Sequence, residues 1–506
     1  MGKEEKLYPN YDMDIWFRTC EQEVIKPLEG KVTGTIPSWV QGTLLRNGPG
    51  CKKIGDCQYQ HVFDGMALIH RFVVKGGRAT YQCKFLETEV YKKNTAANRI
   101  VVTEFGTKAV PDPCRTIFDR ISSMFNFSVE ATDNTVVSVY PFGDQIYAMT
   151  EAPVLYQVDP ESLETLGQKR LPADSLIVFH TAHPHVMPNG DLYNVGLSTA
   201  KGYVVVKFTN NGKGNMFEKA EIVGSVKPRW KLNPAYMHSF GITENYFIII
   251  EQPLCISLVN MMRRVIFPDA FSTALVSYPE YETKIILIHR DTSETTQYTV
   301  DNLYFMHIIN SFEQDGKVML DLCSYKDGKL IDAMYLDAVQ TRESNPDYGK
   351  WIQSRPKRIT IPLDAPPMTK VKATLIGDVG IEVPRINYEF NGRPYKYCYG
   401  IGSDIDTEYK GGILVKVNAE TRNSTVWHEP HTYPSEPIFI PHPDAKEEDD
   451  GVVLSAVLWG KDDHKVTLLV LNAKNFEEIA RVDFVTPSQA PRCFHGWYFP
   501  DQTSAK

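Results

Sequence analysis

Several common signatures are missing from this chain of 506 residues. It has no C-x-x-C pair and no H-E-x-x-H, which excludes the local zinc motifs. Its nine cysteines stand singly, at Cys20, Cys51, Cys57, Cys83, Cys114, Cys255, Cys323, Cys398 and Cys493. An odd number so spread suits free thiols in a reducing compartment, not a disulfide frame. Acidic residues outnumber basic ones, 62 to 54, and the net charge of −8 lacks the basic footprint that nucleic acid requires. No apolar run reaches about 18 residues, so no helix is expected to span a bilayer. The N-terminal MGKEEKLYPNYD has no apolar stretch of the secretory kind. Lys6 stands where N-myristoylation wants Ser or Thr. No G-x-G-x-x-G follows a strand-like segment, so no nucleotide or flavin site is expected. These absences predict a cytoplasmic protein with no nucleic-acid partner, and no obligate protein partner is inferred.

What is present is strand. Asp144–Met149, Tyr203–Phe208, Tyr246–Glu251, Lys317–Leu322, Val452–Leu458 and Val466–Leu471 are rich in β-branched and aromatic residues. Turn signals separate such runs: Pro188-Asn189-Gly190, Asn211-Gly212, Gln314-Asp315-Gly316, Asp327-Gly328 and Asp449-Asp450-Gly451. Short strands at even spacing predict an all-β, closed architecture. A degenerate strand–turn–strand phrase recurs in YAMTEAPVLYQVDPESLETLG, GILVKVNAETRNSTVWHEP and LLVLNAKNFEEIARV, as in a propeller. Seven such units would take about 72 residues each. No linker-like stretch divides the chain, so residues 1–506 are read as a single domain.

Two segments depart from this pattern. In Cys114–Phe127, Ile117, Ile121, Met124 and Phe125 share a helical face, and Cys114 beside it is a candidate for palmitoylation. In Leu254–Phe271, Leu258, Met261, Met262 and Val265 follow helical spacing, with Arg263 and Arg264 off that stripe. The stripe packs on the core, or it forms a membrane-lying patch beside a substrate mouth.

The chemistry rests on His183, His238, His307 and His495, in the strings TAHPH, YMHSFG, FMHIIN and CFHGWY. The chain has 13 histidines, and any one taken singly is most simply a core or surface residue. Four neutral imidazoles without a thiolate would suit iron, copper, zinc or nickel, not magnesium or calcium. Spread over three hundred residues, they could meet only in a radial, closed fold.

The flanking strings decide the matter by likeness. GTLLRNGPG (Gly42–Gly50), HVFDGMALIH (His61–His70), TAHPHVMPNGDLYN (Thr181–Asn194), YMHSFGITENY from Tyr236, YPSEPIFIPHPDAKEEDDGVVLS from Tyr433 and FHGWY (Phe494–Tyr498) occur in order along nearly the whole chain. In them the chain resembles the carotenoid cleavage oxygenases, and within these the animal subgroup of β-carotene oxygenases and retinoid isomerohydrolases. It looks most like the insect-type isomerooxygenase. The PDPCR string at Pro111–Arg115 and EEDDG at Glu447–Gly451 are similar to that subgroup.

The resemblance implies an all-β, seven-bladed β-propeller, with a helical and loop cap over the top face carrying a substrate tunnel. It implies one Fe(2+) held by His183, His238, His307 and His495, with two positions open for dioxygen and water. Glu151, Glu382 and Glu436 are implied as carboxylates that accept the far N–H of three ligands and fix their rings. The fourth, His183, needs no such partner, and His185 is read as an outer or core histidine. Tyr236, Phe305 and Trp497 flank the ligands as tunnel-wall or packing aromatics. The implied reaction is cleavage of β-carotene or a xanthophyll by O2 at the central 15,15' double bond to retinal, alone or with trans-to-cis isomerisation of one product. The alternatives are isomerohydrolysis of all-trans retinyl esters and eccentric 9',10' cleavage. Peripheral membrane association is implied by substrates that are nearly insoluble in water.

Overall fold

The computed structural model describes residues 6–110, 132–215 and 217–501, with the backbone alone for Val265 and Ile266. The predicted Cys114–Phe127 helix and Cys114 lie outside the described residues.

Seven sheets of four to six strands account for the architecture, together with two two-stranded ribbons. Residues 138–170, 177–226, 241–300, 304–375 and 381–428 each form one blade as an antiparallel succession. The remaining two blades join the chain ends. Lys31–Gly34 is the outer strand on Glu478–Val485, and the C-terminal His495–Pro500 is the inner strand on Gly42–Cys51. This double closure leaves no open edge between first and last blade, which is how a propeller avoids exposing an unpaired strand. Inner strands touch in succession around the axis: Ser138–Phe142 meets His495–Pro500, which meets Ile438–Pro441, then Ile381–Ile386, Tyr304–Gln314 and Gly241–Ile242.

The core explains why the strands read as continuous apolar runs. Among the described residues, buried side chains form seven clusters, six in seams between neighbouring blades and a seventh that joins the remaining seam to the capping elements. In Tyr246–Glu251, Ile248 and Ile250 face the seam with the following blade, while Phe247 and Ile249 face the preceding one. Alternate side chains point to opposite faces, and here both faces are buried. Each such side chain contributes about 1.5–3 kcal/mol of burial. The predicted strands are found within a few residues at each end, the 246–251 strand with identical bounds.

One face carries the additional elements: the Glu89–Ala97 and Leu258–Ile266 helices, three short helices between Leu330 and Ile352, and the two ribbons. The predicted helix over 254–271 is shorter than expected. Leu254–Ile256 is instead a strand on Leu275–Ser277, and Ser257 caps the helix by accepting from the Asn260 amide at 3.2 Å. The β-branched Ile256 favours the strand, and a side-chain cap fixes where the helix starts. The predicted four-residue stripe does not form one outward face. Leu258 and Met261 pack inward against the core, Met262 is 61% exposed, and only the backbone of Val265 is described. The outward apolar residues here are Val259, Met262 and Phe267. Arg263 stacks over Phe267 and Arg264 over Phe271.

Candidate metal centre

Breaks in the inner strands place the site. Ile177–His180 and His185–Val186 both pair with Leu192–Ser198, and the residues between them leave the ladder, carrying His183. His238 precedes the short inner strand Gly241–Ile242. His307 lies in a register shift between Phe305 and Ile308, and Glu382 at one between Glu382 and Arg385. Glu436 sits between Thr432–Pro434 and Ile438–Pro441, which pair with one strand. Glu151 lies in the turn after Gln145–Met149. Bulges re-aim side chains that a regular ladder would send into the seams, and here they aim them at the axis. Val383, beside Glu382, has φ +44°, which is strained for a β-branched residue, and its amide donates to the Glu382 carboxylate at 2.6 Å.

One ring nitrogen from each of His183, His238, His307 and His495 lies within 4.8 Å of the others. The Nδ1–H of His238 donates to Glu151 Oε1 at 2.7 Å, that of His307 to Glu382 Oε2 at 2.6 Å, and that of His495 to Glu436 Oε1 at 2.8 Å. Each donation leaves the Nε2 lone pair facing the centre. Among the described residues no carboxylate pairs with His183.

These residues fit a metal ion. His307 Nε2 is buried with no hydrogen-bond partner, and the Nε2 atoms of His183 and His238 stand 3.0 Å apart, too crowded for two bare lone pairs without a cation between them. Burial lowers the pKa of His183 and His238, and that of His495 to about 4, so these rings are neutral at physiological pH, as metal ligands would need to be. Burial also acts on the carboxyls, tending to raise them. His307 overcomes it for Glu382, and Arg385 and His495 for Glu436, so both are held below the usual range.

His185 is not part of the cluster: its ring nitrogens contact Asn391 Oδ1 and the Phe240 carbonyl, both at 3.0 Å. Tyr236 donates to Glu151 at 2.8 Å and Tyr325 to Glu382 at 2.6 Å. Phe305 is buried in a blade seam, while Trp497 packs on Tyr140 and Tyr388. Two arginines escaped the reading of the sequence as site residues. Arg46 and Arg385 flank Glu436, although both lie in strings, GTLLRNGPG and GIEVPRINY, whose other residues drew attention. Nothing in a single sequence marks an arginine on a strand as aimed at a carboxylate 390 residues away, as Arg46 is, or 51 away, as Arg385 is.

The cluster forms one end of a cavity of about 1340 Å³ that reaches to the capped face. Its wall includes His238, His307 and His495 and the aromatics Phe63, Phe105, Phe179, Phe271 and Phe494. Drug-sized ligands occupy pockets of about 300–1,000 Å³, so this one suits a longer apolar molecule. Met261, Phe267 and Pro268 line it where the helix meets the surface. No helix among the described residues is long and apolar enough to cross a membrane.

Residues 17–500 match the family described as retinal pigment epithelial membrane protein. The chain is 51% identical to the carotenoid isomerooxygenase of Galleria mellonella, over 99% of each chain. It is 35% identical to the β,β-carotene 15,15'-dioxygenase of Gallus gallus, over 96% of this chain and 98% of that one. Among solved structures it is similar to an ACO/RPE65 chimera, with 26% identity, TM-score 0.79, and 98% and 100% of the two chains covered. Cobalt-substituted Synechocystis ACO shares the fold at 24% identity, TM-score 0.79 and the same coverage. On these matches, and with four imidazoles gathered on the axis of a seven-bladed propeller, the chain belongs to the carotenoid oxygenase family.

Proposed function

We propose that this protein is a non-haem iron(II) dioxygenase that cleaves a carotenoid at its central 15,15' double bond to retinal and isomerises one product from trans to cis. The observation that carries this reading is that the four-imidazole cluster presents His238, His307 and His495 to a large cavity rich in aromatic side chains. His183, His238, His307 and His495 would hold the ion, and Glu151, Glu382 and Glu436 orient three of them. Fe(2+) suits four neutral nitrogen donors and supplies the activation of O2. The protein's own part is to position and to shield. The aromatic walls hold the polyene, exclude water, and offer ring faces to positive charge that develops along it. Coupled isomerisation is favoured by the 51% identity to an isomerooxygenase.

The test is incubation with β-carotene and zeaxanthin, aerobically and under strict anaerobiosis, with chromatography that resolves retinal isomers, and a parallel anaerobic incubation with all-trans retinyl ester. The expected result is one cis and one trans C20 aldehyde per substrate, formed only with oxygen. Turnover of retinyl ester without oxygen would replace this reading with isomerohydrolysis, and C27 and C13 products would replace central with eccentric cleavage.

We also take 1–506 as one domain, since strands from both ends complete shared blades. The eight described cysteines are free thiols, which supports a cytoplasmic location. There the protein would rest peripherally on a membrane through the exposed Val259, Met262 and Phe267, the last of which lines the cavity, receiving insoluble substrate from the bilayer. Replacing Met262 and Phe267 together by Asp should lower the vesicle-bound fraction in flotation by about tenfold or more, from the apolar burial lost. Undiminished binding would move the contact elsewhere.

A further inference from the structure

The three outer carboxylates are not equivalent. Glu151 and Glu382 meet neutral donors, the hydroxyls of Tyr236 and Tyr325, and Glu382 also accepts the Val383 amide. Glu436 meets two cations. Arg385 Nε donates to its Oε1 at 2.7 Å, the oxygen that also accepts from His495, and Arg46 Nη1 lies 3.5 Å from its Oε2. Both guanidinium groups are fixed. Arg385 also donates to the Gly496 carbonyl at 2.9 Å and lies over Trp497. Arg46 donates to the carbonyls of Glu436 and Phe494, at 2.9 and 2.8 Å, and to Cys493 Sγ. Its strand pairs Arg46 with Gly496, so the closure of the ring sets it against the residue after His495. A Cβ at Gly496 would collide with the Leu45 carbonyl and lie 2.9 Å from Arg46 Cγ, so glycine is what lets this arginine in.

A carboxylate strengthens an imidazole ligand in proportion to how strongly it draws the Nδ1 proton. A guanidinium on the same oxygen competes for that lone-pair density and neutralises the charge. We infer that Arg385, backed by Arg46, is a positioning residue that weakens His495 as a donor and lowers the charge the site presents to its metal, making one of the carboxylate-backed ligands electronically distinct from the other two.

This rests on the metal-centre reading. It predicts a gain where damage would give a loss. Apo-protein titrated with Co²⁺ against a chelator should bind tighter in Arg385→Gln, by about tenfold, the lower end of the range over which such outer partners act. Arg385→Lys, which keeps the charge, should bind as the wild type does. Equal weakening in both variants, or no change in Arg385→Gln, would overturn the inference and leave Arg385 a packing residue. A second measurement needs no variant. In the zinc-loaded wild type, the Nδ1–H proton resonance of His495 should lie upfield of those of His238 and His307, and the reverse order refutes the inference even if Arg385→Gln does not fold. Absence of Co²⁺ binding by the wild type would instead remove the metal centre itself.

Discussion

His238→Ala should yield a folded protein that holds only a trace of metal per chain and forms no aldehyde above background. The residue is buried, and its ring nitrogen is one of four converging on the axis. Removing it leaves three ligands and an open coordination position where the protein had supplied a donor. The fold should survive, because the exposed partner is manageable: Glu151 keeps the Tyr236 hydroxyl at 2.8 Å and borders the cavity. His185→Ala is the control. That ring bonds to Asn391 and Phe240, so its loss should leave metal content intact. Elemental analysis after anaerobic preparation, with circular dichroism on the same samples, reads both. Full metal content in His238→Ala would refute the ligand assignment.

Glu436→Gln should differ in kind from Glu151→Gln. Glu436 is 2% exposed and lies between Arg385 and the fully buried Arg46. Neutralising it leaves the buried Arg46 and the part-buried Arg385 without this counter-charge, and breaking a buried pair in this way costs about 3–5 kcal/mol. Glu151 has no cationic partner among the described residues, so the amide replacement keeps the hydrogen-bonded shape at little cost to folding. Its effect should be confined to metal affinity, weakened about 10–100-fold. Urea midpoints and Co²⁺ titration separate the two: Glu436→Gln loses stability and metal together, Glu151→Gln metal alone. Equal stability of the two variants would mean that the arginines do not depend on Glu436.

The comparison also shows how much a linear chain can say about such a site. His238 and Glu151 stand in short strings, YMHSFG and MTEAP, and their chemical types alone suggest a ligand and its acceptor once the family is recognised. Arg385 stands three residues after Glu382 in one string, yet the two serve different histidines. Glu382 takes His307 and Arg385 reaches the carboxylate behind His495. The register shift between them turns the two side chains to different neighbours, and that shift has no signature in composition or period. The helical stripe from Leu258, left open between the core and an outward patch, is divided for a related reason. Spacing gives a shared face but not its direction, and packing sends Leu258 and Met261 inward while Met262 looks out.

By itself the sequence determined the strands and the turns between them, because local propensity and period-two burial act over a few residues. It also held the four histidine strings that mark the family. Only the tertiary structure decided that those imidazoles meet, that Arg46 and Arg385 attend a single carboxylate, and that the cavity reaches the imidazoles. Those relations join blades far apart in the chain, and they exist only once Lys31–Gly34 and His495–Pro500 have closed the ring.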